Sequence, residues 1–143
     1  MATVDASVFV SLFNARDRQH GATIAWLREA VAAGEPLRAP VIALAEVAAA
    51  VAAGTGDRQL SQEVERQLRA SPLFEFLPVA LPLAERAAAL AAEHQLRGSD
   101  ALYFAVAETL GDRLVTLNPR QLQRSGHIVE AVRPRPTLAV SES

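Results

Sequence analysis

Three carboxylates in this chain stand in surroundings that do not call for them. From Val41 to Ala53, Glu46 is the only residue that is not Val, Ile, Leu or Ala. A helix that apolar is expected to be buried over most of its circumference. A carboxylate on it then needs a metal ion or another cation as partner. The alternative is that alanine tolerates solvent and Glu46 simply marks an outward face. Asp5 precedes the helical run Val8–Phe13 and is as well explained by helix capping, for which Asp and the nearby Ser7 are both suited. Asp100 opens Ala101-Leu102-Tyr103-Phe104-Ala105-Val106-Ala107, a stretch apolar all round. An acid in a first turn is favoured by the helix dipole, yet Ser99 is expected to cap this helix already, which leaves Asp100 open to a second role.

The arrangement of the three says more than any one of them. One acid follows the first expected strand, one lies on the helix after the second, and one opens a late central helix. In a compact α/β domain these can converge at one end of the sheet. Converging carboxylates repel unless a cation neutralises them, and hard oxygen donors without cysteine or clustered histidine suit Mg²⁺ or Mn²⁺. His20, His94 and His127 are scattered over different segments and are expected to play no part in the chemistry.

The elements that must position these acids alternate between strand and helix. A short strand over Ala2–Val4 leads into a helix carrying Val8, Phe9, Leu12 and Phe13, and a second helix covers about Gly21–Ala33. A strand at Leu37–Ala39 precedes the alanine-rich helix, and Asp57 caps an amphipathic helix with Leu60, Val64 and Leu68 on one face. Phe74–Val79 reads as a strand and Pro82 opens the next helix. After the helix from Ser99 to Leu110 come strands at Arg113–Leu117 and His127–Val132, with Asn118-Pro119 as a turn between them. Strands separated by helices imply a parallel sheet covered on both faces, with ligands bound beyond the carboxyl ends of the strands.

Length and composition fit that picture. The 143 residues make one domain able to bury about 70% of its unfolded surface. Residues 1–132 are expected to form it, with 133–143 as an irregular arm or tail. There is no cysteine, which excludes disulfides and thiolate metal sites. No apolar stretch reaches the roughly 18 residues of a membrane span, so a cytoplasmic protein is expected. The formal charge of −2 argues against bulk electrostatic binding of nucleic acid. All 14 basic residues are arginine, so any phosphate contacts would come from forked guanidiniums.

Four segments, in order, resemble the PIN-domain family and within it the VapC-type toxins. They are Val4-Asp5-Ala6-Ser7-Val8-Phe9-Val10, Ala39-Pro40-Val41-Ile42-Ala43-Leu44-Ala45-Glu46-Val47, Gly98-Ser99-Asp100 with the apolar run that follows, and Arg113-Leu114-Val115-Thr116-Leu117-Asn118-Pro119-Arg120-Gln121-Leu122. The resemblance implies a three-layer α/β fold with a central parallel sheet flanked by helices, a homodimer, and Mg²⁺- or Mn²⁺-dependent cleavage of RNA. It puts Asp5, Glu46 and Asp100 on the family's acidic positions. Asn118 stands where many members carry a fourth acid. Asn keeps a carbonyl oxygen for a metal but lacks the charge, which bears on a second ion more than on the first. Thr116 and Ser7 are candidates to position water or phosphate, and Arg97 and Arg120 to contact RNA. The family also implies a small antitoxin as partner, whose apolar helix would fill a groove that Phe13 or Trp26 could line, although the core is the expected place for both. The departure at Asn118 points to a rival, a degenerate PIN module that binds RNA or a protein without cutting. A different α/β fold, such as a flavodoxin-like domain with a carboxylate pocket, gives no reason for Glu46 on an alanine-rich helix.

Overall fold

A computed structural model describes residues 1–137 of the chain. Five short strands make one sheet: β1 (Ala2–Val4), β2 (Leu37–Pro40), β3 (Phe74–Leu77), β4 (Arg113–Val115) and β5 (Ala131–Val132). Their order is β3-β2-β1-β4-β5, and every neighbouring pair is parallel. The helices are α1 (Ala6–Phe13), α2 (His20–Ala32), α3 (Ile42–Thr55), α4 (Arg58–Ala70), α5 (Leu81–His94), α6 (Gly98–Leu110) and α7 (Pro119–Arg124).

The connectivity dictates the layers. From β1 the chain steps outward in one direction to β2 and β3, then crosses back over to β4 and continues to β5. Parallel crossovers are right-handed, so reversing direction moves the crossover helices to the other face. Helices α1–α4 thus cover one face and α5–α6 the other, giving the three-layer α/β domain with a central parallel sheet. Phe9 of α1 packs edge-on against Phe74 of β3 at 4.9 Å between ring centres, while α6 lies against β1, β2 and β4. The direction reverses between β1 and β4, and the crevice above their carboxyl ends is where such sheets bind ligands.

The strand starts are held by a separate charged group. Asp112, buried, accepts from Thr3 Oγ1 at 2.9 Å and from Arg38 Nη2 at 2.7 Å. This ties β1 and β2 to the residue that enters β4, and it accounts for a buried carboxylate with no part in the site. Gly111 makes that entry possible. It closes α6 at φ 70°, a left-handed conformation that glycine adopts without strain, and β4 starts two residues later.

Several expected boundaries differ. β4 ends at Val115 rather than Leu117, because Leu117 N–H donates to Ser7 Oγ and Asn118 N–H to Thr116 Oγ1; side-chain oxygens have replaced the ladder. Only Ala131–Val132 of the expected His127–Val132 strand pairs with β4, and β3 stops at Leu77. Ser99 does not cap α6: the helix already starts at Gly98, and Arg97 precedes it without a side-chain capping bond. The short α7, unforeseen in the sequence, is capped by Asn118 and opens on Pro119, the position where proline is pre-organised for a helix. Residues 133–137 follow β5 without regular pairing, and Thr137 donates to the Glu29 carboxylate. Of the expected C-terminal arm, residues 138–143 lie outside the described residues.

Candidate metal centre

Asp5 is both a helix cap and a resident of the crevice. It follows β1 directly, its backbone N–H donates to Val115 O of β4 at 3.0 Å, and its Oδ2 accepts from Ser7 N–H at 2.9 Å as the cap of α1. The other oxygen, Oδ1, accepts from Gln121 Nε2 at 3.1 Å. The capping role and the location at the switch point are therefore not alternatives.

Glu46 reaches the same crevice from α3. Its Oε1 accepts a 2.6 Å hydrogen bond from the hydroxyl of Tyr103, itself fully buried. Burial lifts the Glu46 carboxyl above its ordinary range; the Tyr103 bond opposes this, and the charges of Asp5 and Asp100 add to it. Tyr103 is pushed well above the usual phenol value by burial, Asp5 and Glu46, so it stays a proton donor.

Asp100, 8% exposed, projects from the first turn of α6. Its Oδ1 accepts from Asn118 Nδ2 at 3.3 Å, whereas Oδ2 is buried and has no partner among the described residues. Its carboxyl is raised by burial first and by Asp5 second, with Arg97, Asn118 and Arg120 partly offsetting them. A buried carboxylate oxygen without a donor is costly, and a cation beside it would offset that cost.

The three acids line one cavity of about 510 Å³, together with Ser7, Arg97 and Asn118. Next to it, Arg97, Arg120 and Arg124 line a second of about 390 Å³ that shares Asp100 and Asn118. Among the described residues no three His, Cys, Asp or Glu stand close enough to make a finished metal cage. The donor set nevertheless fits a hard divalent ion: carboxylate oxygens only, one of them buried without a hydrogen-bond partner among the described residues.

The sequence profile of the PIN domain matches residues 2–126. The chain belongs to the PIN domain family. No curated protein sequence matches it significantly, but solved structures do. The VapC20 toxin of Mycobacterium tuberculosis, described as cleaving the sarcin-ricin loop, superposes with a TM-score of 0.72 at 22% identity, covering 88% of this chain and 95% of its own. FitAcB from Neisseria gonorrhoeae gives 0.69 at 21%, covering 94% and 98%. A toxin–antitoxin complex from Klebsiella pneumoniae gives 0.63 at 23%, also covering 94% and 98%. The fold is thus that of the VapC-type PIN toxins.

Within this PIN domain all four residues singled out from the sequence, Asp5, Glu46, Asp100 and Asn118, reach one crevice. Other expectations need correction. The alanine-rich α3 is not buried all round: Ala43 and Val47 are buried, but Ala45, Ala49 and Ala50 face solvent, because alanine gains little from burial. Glu46 nonetheless points inward to Tyr103. Thr116 is fully buried, its hydroxyl engaged with Gln121 and Asn118, and Ser7 Oγ holds Leu117 N–H. Trp26 is in the core as expected, but Phe13 is 39% exposed and lines an apolar groove of about 460 Å³ with Val10, Val51, Leu60 and Val64.

Two residues of the site were missed. Tyr103 lies one helical turn beyond Asp100 and so shares its face, a spacing that pointed to it. Gln121 sits on the helix that went unread. The pair Asn118-Pro119, a cap followed by proline, was its signal.

Proposed function

We propose that this PIN domain is a Mg²⁺- or Mn²⁺-dependent ribonuclease that hydrolyses RNA phosphodiester bonds, acting as the toxin of a toxin–antitoxin pair. The observation that carries the reading is the convergence of Asp5, Glu46 and Asp100 on the switch-point crevice, with Asp100 Oδ2 buried and without a hydrogen-bond partner among the described residues. Asp5 and Asp100 would hold the ion, and Glu46 would complete the site or take a proton. A bound divalent ion lowers the pKa of water and offsets charge growing on the phosphate. The raised Glu46 carboxyl is the fitting acceptor for the proton of the attacking water, and the Tyr103 bond fixes its orientation. Arg97, Arg120 and Arg124 offer guanidiniums to flanking phosphates.

An antitoxin is supported by the complexes among the structural neighbours, and the Phe13 groove fits an apolar segment of such a partner. We take the homodimer and the cytoplasmic setting from the family; among the described residues no helix is long and apolar enough to cross a membrane. The test is cleavage of total RNA by the purified chain with Mg²⁺ or Mn²⁺ against a chelator, with cut ends mapped. Cleavage that needs the metal is expected. RNA binding without cleavage would favour the non-cutting module, for which Asn118 is the supporting observation.

Asn118 also allows a direct probe. Its Oδ1 accepts from Arg120 N–H at 2.9 Å while Nδ2 faces Asp100, so in this arrangement it meets the acid as a donor. Asn118→Asp keeps the cap, since Asp caps about as well, but replaces that donor by an anion. The metal-free melting temperature should fall, and the rise on adding Mn²⁺ should exceed that of the wild type, because an anionic ligand strengthens binding to the folded state. Equal shifts across a Mn²⁺ titration would leave Asn118 as a cap only.

A further inference from the structure

We propose that Thr116 and Gln121 form an oriented hydrogen-bond relay that sets the posture of Asp5 toward the metal, both acting as positioning residues. This rests on the metal-dependent reading of the site.

Gln121 is fully buried, although it belongs to a six-residue helix whose other residues are partly or largely exposed. Its amide has a partner at each end. Oε1 accepts from Thr116 Oγ1 at 2.5 Å, and Nε2 faces Asp5 Oδ1 at 3.1 Å and the backbone carbonyl of Asp100 at 3.4 Å. The two ends of an amide are alike in shape, so its orientation follows from the neighbours. Thr116 Oγ1 already accepts from Asn118 N–H at 3.0 Å, an unambiguous donor. Its own proton is therefore free for Gln121 Oε1. Turning the amide over would set its oxygen against the Asp5 carboxylate and the Asp100 carbonyl, three acceptors with no proton between them. Only one orientation satisfies every group.

The direction of the relay has a chemical consequence. It delivers a neutral N–H to Asp5 Oδ1 while Ser7 N–H serves Oδ2. Each oxygen keeps lone-pair capacity for an ion, and the carboxylate is held in one rotamer without a nearby cation competing for it. The same Nε2 reaches the Asp100 carbonyl, so one side chain joins α1 to the first turn of α6 and fixes how the two acids stand to each other. Groups that orient metal-binding carboxylates typically contribute 10–100-fold to affinity.

The test measures Mn²⁺ affinity by electron paramagnetic resonance of the free ion, with circular dichroism and metal-free melting curves alongside. Gln121→Met keeps the length and apolar contacts but removes the amide. Thr116→Val is close to Thr in shape and removes the proton that orients it. Each should weaken Mn²⁺ binding about 10- to 100-fold. The double variant should be scarcely weaker than either single one, since both cut the same chain. Thr116→Ser should bind as the wild type does. Lowered melting temperatures with unchanged Mn²⁺ affinity would make Gln121 packing alone and overturn the relay, as would additive losses. Should Gln121→Met fail to fold, Thr116→Val against Thr116→Ser decides by itself. A wild type that binds no Mn²⁺ would instead sink the metal site, and the relay with it.

Discussion

Asp100→Asn is expected to lower RNA cleavage by at least about 10³-fold, the scale seen when one member of a catalytic unit is removed, while leaving the fold intact. The change is almost isosteric and removes the anion whose buried Oδ2 has no hydrogen-bond partner among the described residues. Stability should move little, and for opposing reasons. In the metal-free protein burial raises the Asp100 carboxyl, so its ionised form destabilises the fold at neutral pH, where the unfolded chain holds the same charge in water. A neutral amide relieves that cost. It also forgoes the favourable contact of an acid with the α6 dipole, worth about 0.3–1 kcal/mol. No capping bond is lost, because the α6 start has none. Circular dichroism should therefore match the wild type, and Mn²⁺ should no longer raise the melting temperature. Full cleavage by a correctly folded variant would remove Asp100 from the mechanism.

What the sequence disclosed, and what it withheld, divides along a physical line. Asp5, Glu46 and Asp100 were legible because each contrasts with apolar neighbours in the chain, and local contrast is a property of sequence. The layer order followed from the alternation of strand and helix periods, and the helices α1 to α6 were placed to within a few residues. Tyr103 and Gln121 were not read as site residues because their roles are tertiary, and Thr116, a candidate to position water or phosphate, instead gives its hydroxyl to Gln121. Tyr103 is one more apolar residue in an apolar run until α3 brings Glu46 against it. Gln121 has no local reason to be buried until α7 folds back over the crevice. The burial of α3 was overstated since composition alone cannot tell a buried alanine from an exposed one, and Phe13 faces a groove that an isolated apolar stripe does not announce. The early end of β4 was misjudged because side-chain oxygens, invisible to periodicity, take over the backbone N–H groups of Leu117 and Asn118.

Asp5→Asn combined with Asp100→Asn should cleave RNA scarcely less than either single variant. If the two acids act independently, losses of about 10³-fold each multiply to about 10⁶-fold; if they hold one ion, the first substitution already disables the unit and the second has little left to remove. The geometry favours the unit, because Gln121 Nε2 touches both Asp5 Oδ1 and the Asp100 carbonyl, and each acid's charge bears on the crevice it shares with Glu46. The single variants should nonetheless differ in stability. Asp5 accepts one N–H at each oxygen, and an amide offers a single oxygen. Asp5→Asn keeps the α1 cap, since Asn is as good there, but sets its NH₂ against that of Gln121 and leaves a buried donor without a partner, costing about 1–3 kcal/mol. Asp100→Asn keeps the bond from Asn118 and sets its NH₂ where Oδ2 already had no hydrogen-bond partner among the described residues, so it breaks no existing bond. Single-turnover cleavage of an end-labelled RNA, read beside melting curves, separates catalytic from structural loss for all three variants. Multiplicative losses in cleavage would show that Asp5 and Asp100 do not share an ion.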